Sequence, residues 1–235
     1  MAIRGLASPK VERFAASVDW IRLGALGALL KSLKGAGIRE VVMQGQVKLK
    51  SVFSATPDLM GIRVMAGLRE KSGEAILRAV GGLLARNGIR LLDCRTHMGE
   101  VLAGKGVLAG KETDTALKAD LALGLKAARS LAKIEAGQTV VIKNGIVVAL
   151  EGLEGTDACL KRAAKLAGKG CVAVKVSSSR SDFRFDIPTV GPRTLRVLAS
   201  GGYKALAVES DRAFILGGET FMTKARSAGV TIHGF

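Results

Sequence analysis

The chain has 235 residues, enough for one or two domains with a sizeable core, and its 36 Lys and Arg against 20 Asp and Glu leave a formal charge of +16 at pH 7. That excess favours an anionic partner: nucleic acid, an acidic membrane surface or a phosphorylated substrate. Aromatic residues make up only 4% of the chain, and no run interleaves them with Lys or Arg as a base-stacking surface does, so nucleic acid is the least favoured of the three.

The opening MAIRGLASPK has no apolar core of signal-peptide length, and no stretch reaches about 18 apolar residues without a charge. The expectation is a soluble chain that touches a membrane only at its surface. Cys94, Cys159 and Cys171 form no paired spacing, which argues against a zinc knuckle or a disulfide framework and fits a reducing cytoplasm. His97 and His233 show no metal-ligand spacing.

In chain order, Asp19 to Leu23 reads as a short strand, Leu26 to Lys34 as an amphipathic helix closed by Gly35 and Gly37, and Glu40 to Met43 as a second strand ending at Gln44 and Gly45. Glu74 to Arg86 reads as a helix stopped by Asn87 and Gly88, and Ile89 to Asp93 as a buried strand. This alternation predicts a Rossmann-like N-terminal domain over residues 1–112, whose strand-end loops, including Gly45, face a nucleotide. It closes with VLAGKGVLAGKE from Val101 to Glu112, a glycine-rich near-repeat read as a linker. The Gly spacing there is one short for a phosphate loop, and Glu112 stands where Ser or Thr belongs.

A C-terminal domain over residues 113–235 is predicted to be a mixed-sheet α/β unit. A long helix from Asp114 to Ile134 carries Leu117, Leu121, Leu125, Ala128 and Leu131 on one stripe. Strands Thr139–Lys143 and Ile146–Leu150 join through Asn144 and Gly145, a tight hairpin turn. Glu154, Gly155, Thr156 and Asp157 open a helix to Leu166, and Cys171 to Val176 is a strand that carries Lys175 toward the loop Ser177–Ser181. Further on come a helix Arg193–Leu198, strands Ala205–Glu209 and Ala213–Leu216, a helix Thr220–Ser227 and a last strand Val230–His233.

The stretch Asp182–Thr194, DFRFDIPTVGPRT, holds the densest chemistry. Period-two alternation predicts an extended segment with Phe183, Phe185 and Ile187 on one face and Asp182, Arg184 and Asp186 on the other. Pro188 keeps Ile187 extended, and Gly191 with Pro192 starts a helix. Asp186 is thereby placed on a rigid turn beside a helix start, where a carboxylate suits a hard cation; a solvated charge pair is the structural alternative. Glu154, Thr156, Asp157, Lys175, Thr189 and Glu209 also stand after strands or at helix starts. The carboxylates suit Mg2+, and Lys175 and Arg184 suit phosphate oxygens. Against this, Thr156 suits a helix cap, Lys175 a solvated lysine and Glu209 a surface acid. No Ser stands in a nucleophile elbow, and covalent catalysis is not supported.

Four blocks carry a family resemblance: LGALLKSLKGAGIREVVMQGQV from Leu26, GQTVVIKNGIVVALEGLEGTDA from Gly137, VAVKVSSSRSDFRFDIPTVGPRTL from Val172 and LAVESDRAFIL from Leu206. They resemble the metal-dependent UDP-2,3-diacylglucosamine pyrophosphatases of lipid A biosynthesis, the LpxI type, over nearly the whole chain. The resemblance implies a two-domain cytoplasmic enzyme, peripheral to the inner membrane, that uses Mg2+ to hydrolyse a lipid-linked UDP-sugar to UMP and a diacylglucosamine 1-phosphate, with a homodimer left open. Asp186 matches the family's essential aspartate. Asp157, Glu209 and Asp186 are then the candidate metal ligands, and Lys175, Arg184, Thr156, Thr189 and Gly45 the candidate substrate contacts. Two departures stand out: the family's opening strand, glycine loop and helix precede the first residue of this chain, which puts its activity in question, and Asp211 replaces a glycine. The alternative from another class is a non-catalytic basic module, a remnant of the enzyme, that binds nucleic acid or anionic membrane.

Overall fold

The computed structural model describes residues 1–45, 47, 51–52, 54–70, 72–178 and 182–235, and the chain divides into two compact units, Met1–Cys94 and Arg95–Phe235. The fold is α/β.

In the first unit, β1 (Ala2–Ile3) pairs in parallel with β2 (Trp20–Ile21), and β3 (Glu40–Val41) pairs in parallel with β4 (Arg90–Leu91). The opening residues thus form a strand that the sequence did not signal. Among the described residues these are two separate two-stranded pairs, so the parallel pairing is present while the continuous sheet of a Rossmann-like domain is not. The helices α1 (Leu26–Gly35), α2 (Leu59–Ala66) and α3 (Gly73–Arg86) accompany them. Their apolar faces meet in a small core of Leu30, Leu33, Leu83, Leu84 and Ile89. Asp58 joins two helix starts: it accepts from the Gly61 amide at 2.9 Å as the N-cap of α2, and from the Gly27 amide at 2.8 Å and the Ala28 amide at 3.3 Å in the first turn of α1. Burial works to raise its pKa, but these backbone donors outweigh it and hold the carboxyl below its usual range.

The second unit is built on a six-stranded mixed sheet in the order β5-β12-β10-β8-β6-β7. The members are β5 (Gly106–Ala109), β6 (Thr139–Lys143), β7 (Ile146–Leu150), β8 (Val172–Lys175), β10 (Ala205–Val208) and β12 (Thr231–Gly234). The central β8, β10 and β12 run parallel; β6, β7 and β5 are antiparallel to their neighbours. A side pair, β9 (Thr189–Val190) with β11 (Phe214–Ile215), is parallel. The stretch expected to be a linker therefore contains an edge strand. Gly106 and Gly110 sit at φ +85° and +92° and bracket it, and their glycine signal masked the strand.

Alternation along the strands sorts the two faces. Val140, Ile142, Val174 and Ala207 meet α4 (Thr115–Lys133) through Ala128, Leu131 and Ala132. Val141, Ala173, Leu206, Val208 and Ile232 meet α5 (Thr156–Ala167), α6 (Pro192–Ser200) and α7 (Gly218–Ser227) through residues such as Leu160, Leu198 and Phe221. Helix α4 comes so close to the sheet that a Cβ on Gly124 would lie 2.5 Å from Val174 Cγ2. The Asn144–Gly145 turn adopts φ +50° and +75°, and Asp120 of α4 accepts both amides, at 3.0 and 2.7 Å.

The extended reading of Asp182–Ile187 is corrected. The Asp186 amide donates to the Asp182 carbonyl at 2.9 Å, and the Arg184 amide donates to Asp182 Oδ1 at 3.1 Å, so residues 183–185 form a turn and extended pairing begins only at Thr189. An Asp side chain satisfying the amide two residues on offers the backbone an alternative to a strand. Pro192 does occupy the first turn of α6, with Gly191 as its N-cap.

Candidate functional site

The antiparallel register of β6 against β8 sets Thr139 opposite Lys175, and the parallel register of β10 sets Val208 opposite Lys175. The strand that follows the hairpin returns to the same end, where the Glu151 amide donates to the Thr139 carbonyl at 2.9 Å. One end of the sheet thus gathers Thr139, Glu151, Lys175, Ser177 and Glu209, and α5 opens there at Gly155, whose φ is +80°.

Lys175 is buried, with 8% of its side chain exposed. Its ammonium donates to Thr156 Oγ1 at 2.8 Å and to Thr139 Oγ1 at 3.4 Å, and lies 3.9 Å from Glu151 Oε2. Thr156 in turn donates to Glu151 Oε1 at 3.0 Å. The helix cap is Gly155 and makes no side-chain capping bond, so the Thr156 hydroxyl serves as a bridge between an ammonium and a carboxylate. Burial pushes the Lys175 pKa down, while Glu151, then Asp186 and Asp157, pull it back up. All three carboxylates act electrostatically on this one cation, Glu151 most strongly. The solvated-lysine alternative for Lys175 does not fit this burial.

Asp157, on the first turn of α5, also meets the start of α6: Arg193 Nε lies 2.5 Å from Oδ2, and Thr194 Oγ1 donates to Oδ1 at 3.3 Å. Asp186 leaves the Asp182 turn just ahead of Pro188. Arg184 forks onto Asp182, with Nε to Oδ1 at 2.8 Å, and Thr189 donates to the Ile187 carbonyl at 3.0 Å. Glu154 pairs with Arg162.

Glu209 belongs to a second cluster. It accepts from the Ser177 amide at 2.8 Å and from the Ser177 hydroxyl, and Arg212 Nε lies 3.5 Å away. Arg212 also stacks on one side of the Phe183 ring at 4.6 Å, and Arg95 stacks on that ring at 3.9 Å. The structure therefore groups Lys175, Thr156, Asp157 and Asp186, and sets Glu209 with Ser177 and Arg212. Gly45 lies in the first unit, after β3, at φ +111°. Residues 179–181 of the loop after Lys175 lie outside the described residues.

Sequence reasoning missed Glu151 and Thr139. The signal was the hairpin itself, whose register returns Glu151 beside Thr139, but using it required the strand order. Among the described residues no three His, Cys, Asp or Glu side chains form a ready-made metal cage. The carboxylates around Lys175 nonetheless offer the oxygen chemistry that Mg2+ takes, and that ion is commonly held by only one or two carboxylates together with substrate phosphates. All three cysteines are buried, and burial pushes the Cys159 thiol up to about 11, which leaves no activated thiolate there.

Comparison with known proteins gives a consistent result. The family model for the LpxI C-terminal domain matches residues 104–233, and that for the LpxI N-terminal domain matches residues 1–101. A Caulobacter vibrioides protein described as UDP-2,3-diacylglucosamine pyrophosphatase LpxI is 28% identical over 245 aligned positions, covering 100% of this chain and 87% of that relative. Two forms of Acinetobacter baumannii RibD align over 50% of this chain and 35% of theirs, with 15% identity and a TM-score of 0.30, too low to indicate a shared fold.

Proposed function

The chain belongs to the LpxI family, whose two domain models span nearly all of it, and on that premise we propose that it is a hydrolase of lipid A synthesis that cleaves the pyrophosphate of UDP-2,3-diacylglucosamine to UMP and 2,3-diacylglucosamine 1-phosphate. The observation that supports the reading is the buried Lys175, hydrogen-bonded to Thr156 and acted on by the charges of Glu151, Asp186 and Asp157, because two of the blocks that mark the family, EGTDA and RFDIPTVG, contain Thr156, Asp157 and Asp186.

In this reading Asp186 and Asp157 would hold Mg2+, which when bound would supply Lewis-acid chemistry to the phosphoryl oxygens. Asp186 also orients the attacking water toward phosphorus. Lys175 offsets part of the negative charge that its three carboxylates would otherwise present to an anionic diphosphate. Arg184 and Thr189 are the outer contacts to the substrate, and Gly45, which follows β3, is a candidate nucleotide contact of the first unit by itself. Glu209 acts at one remove, by fixing Ser177 and Arg212.

No helix among the described residues is long and apolar enough to cross a membrane. The +16 charge supports a cytoplasmic protein held peripherally on the anionic inner-membrane surface, where its lipid-linked substrate resides.

The test is UMP release from UDP-2,3-diacylglucosamine by the purified chain, with Mg2+ and with a chelator. The proposal expects Mg2+-dependent release. No release under either condition contradicts it and favours the non-catalytic basic module.

A further inference from the structure

The Glu151 carboxylate is an anomaly within the site. Only 12% of its side chain is exposed, Oε1 is satisfied by Thr156, and Oε2 is buried without any hydrogen-bond partner, 3.9 Å from the Lys175 ammonium. A buried carboxylate oxygen left without a hydrogen-bond donor costs free energy and calls for an explanation. The group is also not needed for the hairpin, whose register is set by the Asn144–Gly145 turn and held by Asp120.

What Glu151 does reach is the Thr156 hydroxyl, and through it Lys175. Lys175 spends its donors on two hydroxyls, Thr156 and Thr139, each of which is also tied to this sheet end: Thr156 by Glu151, and Thr139 by its register opposite Lys175. Every contact that fixes the ammonium thus runs through, or lies beside, Glu151.

We propose that Glu151 is a positioning residue for the hydrolysis: through the Thr156 hydroxyl and its own charge it pins the Lys175 ammonium at the end of β8, beside the helix start that carries Asp157. In this role Glu151 acts through Lys175 rather than on the reacting groups. This inference rests on the pyrophosphatase reading above and assigns a role to a residue outside the family blocks' acidic pair. With Glu151 removed, Lys175 turns away from its two threonines, and the carboxylates that meet the diphosphate lose their fixed counter-charge.

The experiment compares wild type with Glu151→Gln, Thr156→Val and Thr156→Ser. UMP release gives kcat and KM, and 1H–15N spectra detect the Lys175 ζ-ammonium, whose signal persists only while it is buried and hydrogen-bonded; Lys175→Met assigns it. The expected result is a visible ammonium signal in wild type and Thr156→Ser and its loss in Glu151→Gln and Thr156→Val. With that loss kcat falls about ten- to a hundredfold, as for other partners one shell removed from the chemistry, while KM changes little. Thr156→Val keeps both charges, so it remains informative where Glu151→Gln fails to fold. An unchanged kcat in Thr156→Val, or an ammonium signal that survives in it, overturns the proposal. A wild type that releases no UMP overturns the reading beneath it instead.

Discussion

The carboxylates of the scaffold and those of the sheet end are used in opposite ways. In the first unit Asp58 spends both oxygens on peptide groups, accepting from Gly27, Ala28 and Gly61, and Asp120 in the second does the same with Asn144 and Gly145. At the sheet end, by contrast, Glu151 meets an ammonium and a hydroxyl, and Asp157 a guanidinium and a hydroxyl. A carboxylate saturated by backbone amides is committed to holding the chain. One set against movable cations and hydroxyls keeps its charge available for a ligand, and that difference separates scaffold from site better than acidity or burial does.

Two substitutions sharpen the contrast on the scaffold side. Asp120→Ala leaves two turn amides without their acceptor and is expected to cost about 1–3 kcal/mol, with faster hydrogen exchange at Asn144 and Gly145 and no change in the kcat of the protein that remains folded. Asp58→Ala removes a cap shared by two helices and is expected to cost about 1 kcal/mol, seen in the denaturation of the first unit through the fluorescence of its Trp20. Because the folded pKa of Asp58 is lowered, its contribution is fully present above the unfolded value of about 3.9 and is lost as pH falls through the folded value. Wild type should therefore lose more stability than Asp58→Ala when taken to about pH 3, and equal losses in the two would remove Asp58 from this role.

The smallest effect is expected at Asp211. It replaces the glycine anticipated in its family block and adopts φ +59°, the left-handed region that glycine enters without penalty and Asp tolerates better than most. Its amide donates to the Ala103 carbonyl at 2.9 Å, and its own carbonyl accepts from Arg95 at 3.2 Å. Asp211→Gly should alter stability by less than about 1 kcal/mol in thermal unfolding.

What the sequence made legible follows the range over which each signal acts. The hairpin Thr139–Leu150 matches residue for residue, because Asn-Gly chemistry and flanking alternation are local. The stripe Leu117 to Leu131 announced α4, and Asp114 caps it at 2.7 Å through the Leu117 amide. Asp182–Ile187 misled because an Asx bond competes with alternation over so few residues. Thr156 suited a cap by position, yet the cap bond is absent and its hydroxyl serves Lys175, a residue 19 positions away. Glu151 was invisible for the same reason: its partners come from other strands and a helix start, and only the sheet order brings them together. In the first unit, strands of two residues carry too little pattern to specify how their pairs join.

The central claim is that Asp186 belongs to the site and Asp182, four residues earlier on the same turn, to the scaffold. Asp182 is engaged by the Arg184 fork and by the Arg184 amide, so Asp182→Asn keeps an acceptor for that amide and should cost little turnover. Asp186→Asn keeps shape and removes charge. Measured side by side for UMP release at saturating Mg2+, with melting temperatures recorded for both, Asp186→Asn is expected to lower kcat about a hundred- to a thousandfold at a near wild-type melting temperature, and Asp182→Asn by far less. Equal small losses in the two variants, or unfolding of Asp186→Asn, would make Asp186 a structural acid and contradict the account.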